Sequence, residues 1–201
     1  MRKLLIIAAL YSTNSLAQFE TTQESAKFGA NQIVTLEKNT KFDLIGTTLE
    51  VGDLMPSAHL VTSNLKPYDT SGASESIKIY SVLTSIDTPV CVQQAIELSQ
   101  YVKNNISNLE NIEFYAISAD TPFAQQRFIN EHSLEGVTYL SDSVEHRFGL
   151  KTGTQIKQLG LLSRSIIVTD MNNEIIYTQR VPELTTIPNL NEAVKTAMAS
   201  R

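Results

Sequence analysis

The feature that most constrains the fold of this chain is an alternation of strand-like and helix-like segments that begins at residue 77. Residues 77–83 (IKIYSVL) are rich in β-branched and aromatic side chains, which predicts a strand. Apolar side chains then recur at helical spacing over residues 89–103, and the strand-like segment 112–117 follows. A strand, a helix and a second strand in this order predict a parallel pair joined by a crossover helix, and therefore an α/β domain.

The segments on either side extend this core into a mixed sheet. Upstream, residues 32–36 and 47–51 predict an N-terminal hairpin, and residues 59–61 predict a short strand. Downstream we expect, in order, a helix opened by Asp120, Thr121 and Pro122, a strand at 137–140, a short helix at 143–148, strands at 165–169 and 175–179 around a tight turn, and a final helix at 188–199. A mixed central sheet with flanking helices, a late hairpin and a closing helix predicts a thioredoxin-like α/β sandwich.

The single cysteine of the chain, Cys91, lies at the junction between the strand at 77–83 and the helix at 89–103. Thr88 is suited to cap this helix and Pro89 to its first position, which places Cys91 in the first turn. Unpaired backbone amides and the helix dipole favour a thiolate at such a position. The residues alone leave two interpretations open: a reactive thiol, or a small buried apolar side chain.

The first 17 residues have the pattern of a secretory signal peptide. Two cations, the apolar run 4–10 and the small residues Ser15 and Ala17 follow one another, which predicts cleavage after Ala17. We expect residues 18–31 to be a flexible polar segment and residues 32–201 to form one domain. The mature protein is then expected in the periplasm or outside the cell.

Charge and hydropathy argue against two classes of partner. Removal of Arg2 and Lys3 leaves 14 of the 16 basic residues against 21 acidic ones, a formal net charge of −7. A negative net charge without basic clusters does not favour nucleic acid binding, because neutralisation of phosphates by basic residues supplies most of the non-specific affinity for nucleic acid. The apolar run near the N-terminus is too short to span a bilayer, and we expect no membrane anchor.

One cysteine cannot form a disulfide within the chain. The chain also has no CxxC motif, so dithiol exchange of the thioredoxin kind is not available to it alone. A hydrolase in which a histidine activates Cys91 is a different class of function, and His59, His132 and His146 are its only candidate bases. These isolated histidines do not have the spacing of a metal site, so no metal is expected.

Three blocks of the sequence resemble bacterial thiol peroxidases, a subgroup of the peroxiredoxins. Residues 85–91 (SIDTPVC) resemble the active-site run of that family. Residues 117–128 (ISADTPFAQQRF) resemble its second characteristic block, and residues 161–168 (LLSRSIIV) resemble its arginine-bearing strand. The resemblance extends over about residues 27–200 and implies a peroxiredoxin fold.

The resemblance implies that Cys91 is a peroxidatic thiolate, which attacks the O–O bond of hydrogen peroxide or an organic hydroperoxide and becomes a sulfenic acid. Thr88 matches the family residue that orients peroxide and thiolate. Arg164 matches the arginine that stabilises the thiolate and polarises the peroxide. Arg127 resembles a second family arginine near the site, and its position on a helix leaves a solvated or interface role open as the alternative. The resemblance implies no cofactor and no metal, and it suggests a homodimer.

Two positions depart from the family pattern. Thr84 occupies the position of a proline seven residues before the peroxidatic cysteine, and Ile129 occupies that of the resolving cysteine. Without a resolving cysteine the internal disulfide cannot form. Turnover must then use an external thiol, either a thioredoxin-like protein or a small thiol. The alternative is a catalytically decayed member that serves as a redox sensor or a binding module.

Overall fold

The computed structural model describes residues 18–72 and 74–201, which contain four α-helices, one short 3₁₀ helix and twelve strands. The helices are α1 (Pro89–Asn105), α2 (Pro122–His132), α3 (Arg147–Thr152) and α4 (Leu190–Ala199), and the 3₁₀ helix is Ile106–Asn108. The strands, in chain order, are β1 (Thr21–Thr22), β2 (Ile33–Leu36), β3 (Thr40–Ile45), β4 (His59–Thr62), β5 (Pro67–Asp69), β6 (Ile77–Val82), β7 (Ile112–Ser118), β8 (Thr138–Ser141), β9 (Gln155–Ile156), β10 (Ser165–Thr169), β11 (Ile175–Arg180) and β12 (Ile187–Pro188).

The largest element is a seven-stranded mixed sheet with the order β11-β10-β6-β7-β8-β4-β5. Strands β6, β7 and β8 are parallel, whereas β10, β11, β4 and β5 pair antiparallel with their neighbours. The helix α1 connects β6 to β7 as the sequence predicted. The expected thioredoxin-like α/β sandwich with a mixed central sheet is confirmed.

Helices cover one face of this sheet, and the N-terminal region with α3 covers the other. On the first face Leu98 of α1 and Val194 of α4 pack on Ile79, while Phe128 of α2 packs in the cluster that contains Cys91. On the second face Phe148 of α3 packs in a cluster with residues of the N-terminal half and of β6, β7 and β8. The candidate thiol therefore lies in a core that α1 and α2 share.

The segment 18–31, which the sequence predicted to be flexible, is held against the domain in the structure. The side-chain amide of Gln93 makes two hydrogen bonds with the backbone of Phe19, accepting from its N–H at 2.8 Å and donating to its carbonyl at 3.0 Å. Strand β1 pairs in parallel with β12, and Gln179 donates to the carbonyls of Thr22 and Glu24. These partners lie between 70 and 170 residues away in sequence, so no local pattern could indicate them.

The predicted N-terminal hairpin exists, but its second strand is wrong. Strand β2 pairs with β3, and residues 47–51 are not in a strand. The turn between the strands places Glu37 and Lys38 at positive φ, and both backbone N–H groups donate to the carboxylate of Glu183 at 2.9 Å. A distant side chain thus stabilises the turn at residues 37–39.

The short helix expected at 143–148 lies further along the chain, as α3. His146 has a left-handed backbone, which prevents an earlier start. The carboxylate of Asp142 accepts from the N–H groups of Phe148 and Gly149 at 3.0 and 2.9 Å. Burial raises the pKa of Asp142, against the effect of these hydrogen bonds.

The expected signal peptide, residues 1–17, lies outside the described residues. Within the described ranges, no helix is long and apolar enough to cross a bilayer.

Candidate active site

Cys91 lies in the first turn of α1, nine residues after the end of β6 at Val82. Its side chain is fully buried, with 0% exposure. It packs with Leu83 and Ile86 from the loop and with Phe128 from α2. The backbone N–H of Ser85 donates to Sγ of Cys91 at 3.4 Å. The loop therefore brings a backbone donor to the sulfur, where it can stabilise negative charge.

Thr88 is the N-cap of α1, as predicted. Its Oγ1 accepts from the N–H of Cys91 at 3.4 Å and donates to the carbonyl of Ser85 at 3.1 Å. The backbone of Thr88 is extended, and Pro89 begins the helix. One hydroxyl thus connects the start of α1 to the loop that donates to the thiol.

Arg164 lies immediately before β10 and is almost fully buried, with 1% exposure. Its Nη1 donates to Oε1 of Gln94 at 2.5 Å, and its Nε and Nη2 donate to the carbonyl of Leu184 at 3.3 Å. In the described part of the chain no carboxylate lies within 4.0 Å of this guanidinium. The structure therefore has a buried cation that is hydrogen-bonded only to neutral groups.

Gln94, which was not predicted from the sequence, connects Arg164 to the helix that carries the thiol. It lies three residues after Cys91, on the same face of α1. Its Nε2 donates to Oγ of Ser81 at 2.8 Å and to the carbonyl of Val82 at 3.5 Å. A polar side chain on the apolar face of a predicted helix was the signal that could have identified it.

Asp120 fixes the loop between β6 and α1. Its carboxylate accepts from Oγ of Ser85 and from the N–H of Ile86, both at 2.9 Å. From the sequence, Asp120 was expected to belong to the opening of α2. The cap is instead Thr121, whose Oγ1 accepts from the N–H of Ala124.

The two positions that depart from the family pattern both lie close to the thiol in the fold. Thr84 is 5% exposed, and its Oγ1 has no hydrogen-bond partner within the described residues. Ile129 is half-buried on α2 and packs against the cluster that contains Cys91.

Arg127, by contrast, is exposed and donates to the carbonyl of Phe123. The structure thus brings Cys91 and Thr88 into contact and leaves Arg127 at the surface.

Tyr139 packs with Phe128 in the same apolar cluster as Cys91, with ring centroids 6.1 Å apart. Burial raises the pKa of Tyr139, so its phenol is neutral at physiological pH. It contributes apolar area beside the thiol.

None of the three histidines is hydrogen-bonded to Cys91. His59 is exposed and contacts Asp69 at 2.8 Å, His132 packs edge-on against Phe128, and His146 caps α3. The described residues contain no cluster of three potential metal ligands. The geometry gives no base for a cysteine hydrolase.

A groove of about 720 Å³ lies beside the start of α1. Both apolar and polar side chains line it. Its lining is Gln18, Phe19, Asp87, Pro89, Val92, Gln93, Ile96 and Glu97. The groove therefore flanks the turn that holds Thr88 and Cys91.

Comparison with known sequences identifies what this arrangement is similar to. A family model described as Redoxin matches residues 50–194. A thiol peroxidase of Clostridium acetobutylicum is 34% identical over 164 residues, which are 82% of this chain and 97% of that protein. A thiol peroxidase of Bacillus subtilis is 35% identical over 156 residues, 78% of this chain and 91% of that protein.

Solved structures agree with the sequence comparisons. A peroxiredoxin-like protein from Aquifex aeolicus has a TM-score of 0.77 and 30% identity, covering 86% of this chain and 99% of its own. A thiol peroxidase from Chromobacterium violaceum has a TM-score of 0.71 and 21% identity, covering 84% and 96%. The second likeness shows the shared fold.

Proposed function

Because this chain belongs to the Redoxin family and is a thiol-dependent peroxidase, we propose that Cys91, Thr88 and Arg164 form its catalytic site. The geometry of Cys91 carries this proposal. The thiol lies at the N-terminal end of α1, receives a backbone N–H, and shares one face of the helix with the partner of a buried arginine.

The reaction is a two-electron oxidation of the sulfur. The thiolate of Cys91 attacks one peroxide oxygen, the S–O bond forms, and the O–O bond breaks. The departing oxygen keeps the electron pair, takes one proton and leaves as water or an alcohol. The sulfur ends as a sulfenic acid. Thr88 would orient the peroxide, and the guanidinium of Arg164 would stabilise the charge on the departing oxygen.

Burial without an acidic partner supports this role for Arg164. Buried charges in proteins are normally paired, because the loss of hydration costs free energy. Among the described residues, Arg164 has only the oxygens of Gln94 and Leu184 as acceptors. The thiolate and the oxygen that leaves the peroxide are the anions that would complete the pairing.

The sulfenic acid must be reduced by a thiol outside the chain. Cys91 is the only cysteine in the sequence, and Ile129 packs on α2 against the cluster around it. A first external thiol would form a mixed disulfide with Cys91 and release water. A second would release the reduced enzyme and an external disulfide. We propose a thioredoxin-like protein or a small thiol as this reductant.

Substitutions of Arg164 and Thr88 test the assignment of these residues to the catalytic site. Arg164→Ala or Thr88→Val should slow the oxidation of Cys91 by hydrogen peroxide, since loss of one transition-state donor costs about 3 kcal/mol. Thr88→Ser should be milder. Arg127→Ala is the matched control, because that arginine is exposed and should leave the rate unchanged. Equal rates for Arg164→Ala and Arg127→Ala in stopped-flow experiments would remove Arg164 from the site.

We also propose that the protein forms a homodimer through the apolar surface beside the thiol. Phe123 of α2 is 64% exposed, and Pro89, Val92 and Ile96 line the groove beside the start of α1. Helices α1 and α2 share the apolar cluster that contains Cys91. Exposed apolar side chains on two neighbouring helices are typical of association surfaces. Phe123→Glu should shift sedimentation towards the monomer, whereas Val144→Glu, at an exposed apolar residue on another segment, should not. Parent protein that sediments as a monomer would exclude the dimer.

For location, we propose export and cleavage after Ala17, which places the mature enzyme in the periplasm or outside the cell. Mass spectrometry of the purified envelope fraction should then find Gln18 as the first residue. Recovery of the full-length chain from the cytosol would contradict export.

A further inference from the structure

Thr84 holds a hydroxyl that the fold leaves unsatisfied close to the thiol. The residue is 5% exposed, and Oγ1 has no hydrogen-bond partner in the part of the chain that the structure describes. Thr84 is bonded directly to Ser85, whose N–H donates to Sγ of Cys91 at 3.4 Å. The hydroxyl is thus carried by the residue that precedes the backbone donor to the sulfur.

A buried hydroxyl without a partner destabilises a folded protein, because it loses its hydrogen bonds to water and gains none. Its neighbours in the loop are satisfied: Ser85 Oγ donates to Asp120, and Thr88 Oγ1 both accepts and donates. Oγ1 of Thr84 is also not bonded to Sγ of Cys91. The proton of Thr84 Oγ1 is therefore not committed to any group of the described residues.

We propose that Thr84 is an additional substrate-contacting residue whose hydroxyl donates a hydrogen bond to the bound peroxide. This inference rests on the proposed function of Cys91. Thr84 keeps its own proton, while the S–O bond forms and the departing oxygen takes a proton as described above. The hydroxyl adds a donor to those of Thr88 and Arg164, and it stabilises the charge that develops as the O–O bond breaks. A proline, which the family pattern has at this position, could not donate.

Thr84→Val tests the proposal, since valine has the shape of threonine without the hydroxyl. The second-order rate constant for hydrogen peroxide should fall on the order of 100-fold. The pH at which the rate is half-maximal should not move, because Oγ1 is not bonded to the sulfur. Thr84→Ser should retain most of the parent rate. The melting temperature of Thr84→Val should equal or exceed that of the parent, because a buried unpartnered hydroxyl is removed.

Thr169→Val is the matched control. Thr169 is also fully buried with an unpartnered Oγ1, but it lies at the far end of β10, opposite Lys78 of β6. This variant should react with peroxide at the parent rate. A Thr84→Val protein that reacts as fast as the parent would overturn the inference, and so would a Thr84→Ser protein as slow as Thr84→Val.

The same series separates this inference from the proposed function. If the parent does not react with peroxide, both fail. If the parent reacts and the loss of the hydroxyl has no effect, only the role of Thr84 fails. Thr84→Ala provides a second variant without the hydroxyl if Thr84→Val does not fold, with the same expected loss of rate.

Discussion

Arg164 donates to Gln94 at 2.5 Å across 70 residues of sequence, and this contact joins the strand β10 to the helix that carries Cys91. Gln94 also donates to Ser81 of β6. One amide therefore holds the arginine, the helix and the central sheet in a fixed relation, which would preorganise the guanidinium for the role proposed above.

Replacement of Gln94 should separate orientation of the arginine from its charge. Gln94→Leu removes the acceptor for Nη1 of Arg164, and we expect peroxide reduction to slow at least about tenfold and the free energy of unfolding to fall by about 1 to 3 kcal/mol. Gln94→Glu keeps an acceptor and should retain more activity than Gln94→Leu. Stopped-flow oxidation and urea unfolding measure the two effects. Parent-like rates for Gln94→Leu would show that Arg164 does not need this partner.

Asp120 should determine the stability of the active-site loop. Asp120→Ala removes the acceptor of Ser85 Oγ and of the Ile86 N–H, and we expect a loss of about 1 to 3 kcal/mol in the free energy of unfolding. Hydrogen exchange at residues 85–88 should become faster. The control is Asp87→Ala, an exposed acid in the same loop, which should stay within about 0.5 kcal/mol of the parent. Equal stability of the two variants would contradict the role of Asp120.

Introduction of a resolving cysteine tests the placement of α2. Ile129 packs against the cluster that contains Cys91. In Ile129→Cys, peroxide should produce an intramolecular disulfide, seen by mass spectrometry as the loss of two hydrogens, and resistance to sulfinic acid formation. Disulfide formation needs Cα atoms within about 7 Å, and local opening of α1 or α2 would allow the two sulfurs to approach. If the introduced thiol is still alkylated after peroxide treatment, the alignment of Ile129 with the missing cysteine is wrong.

Glu183 should make stability depend on pH in the acidic range. Burial alone would raise the pKa of Glu183, but hydrogen bonds from Thr35, Lys38 and Thr185 outweigh it and hold the pKa below the ordinary value of 4.5. A carboxylate with a depressed pKa stabilises the fold fully above about pH 4.5, and this contribution is lost as the pH falls through the lower folded-state pKa. The difference in unfolding free energy between parent and Glu183→Gln should therefore shrink at acidic pH. A difference that stays constant in urea unfolding from neutral to acidic pH would contradict this.

The elements that depend on local sequence patterns could be predicted from the sequence alone. Strand β6, the cap at Thr88 and the helix α1 could be predicted because strand propensity, capping and helical periodicity all act within a few residues. The position of Cys91 in the first turn followed from them. Arg164 could be named as a candidate site residue only from the resemblance to the family, because no local pattern distinguishes it from other arginines.

Contacts between distant segments could not be predicted in the same way. Strand β1 has two residues and pairs with β12, more than 160 residues later, so neither has a pattern of its own. The turn after β2 depends on Glu183 and the active-site loop on Asp120, and in both cases the acidic residue looks like an ordinary surface charge in the sequence. The role of Gln94 could not be predicted because it depends on Arg164, which contacts it across the core.

The most direct test of the account is the reaction of Cys91 itself with peroxide. Purified mature protein is mixed with hydrogen peroxide in a stopped-flow instrument, and the product is identified by mass spectrometry with and without excess external thiol. The account predicts rapid gain of one oxygen atom at Cys91, sustained peroxide consumption only when external thiol is present, and neither in Cys91→Ser. A parent protein whose thiol stays reduced and alkylatable in excess peroxide would contradict the account and would identify the chain as a decayed member of the family.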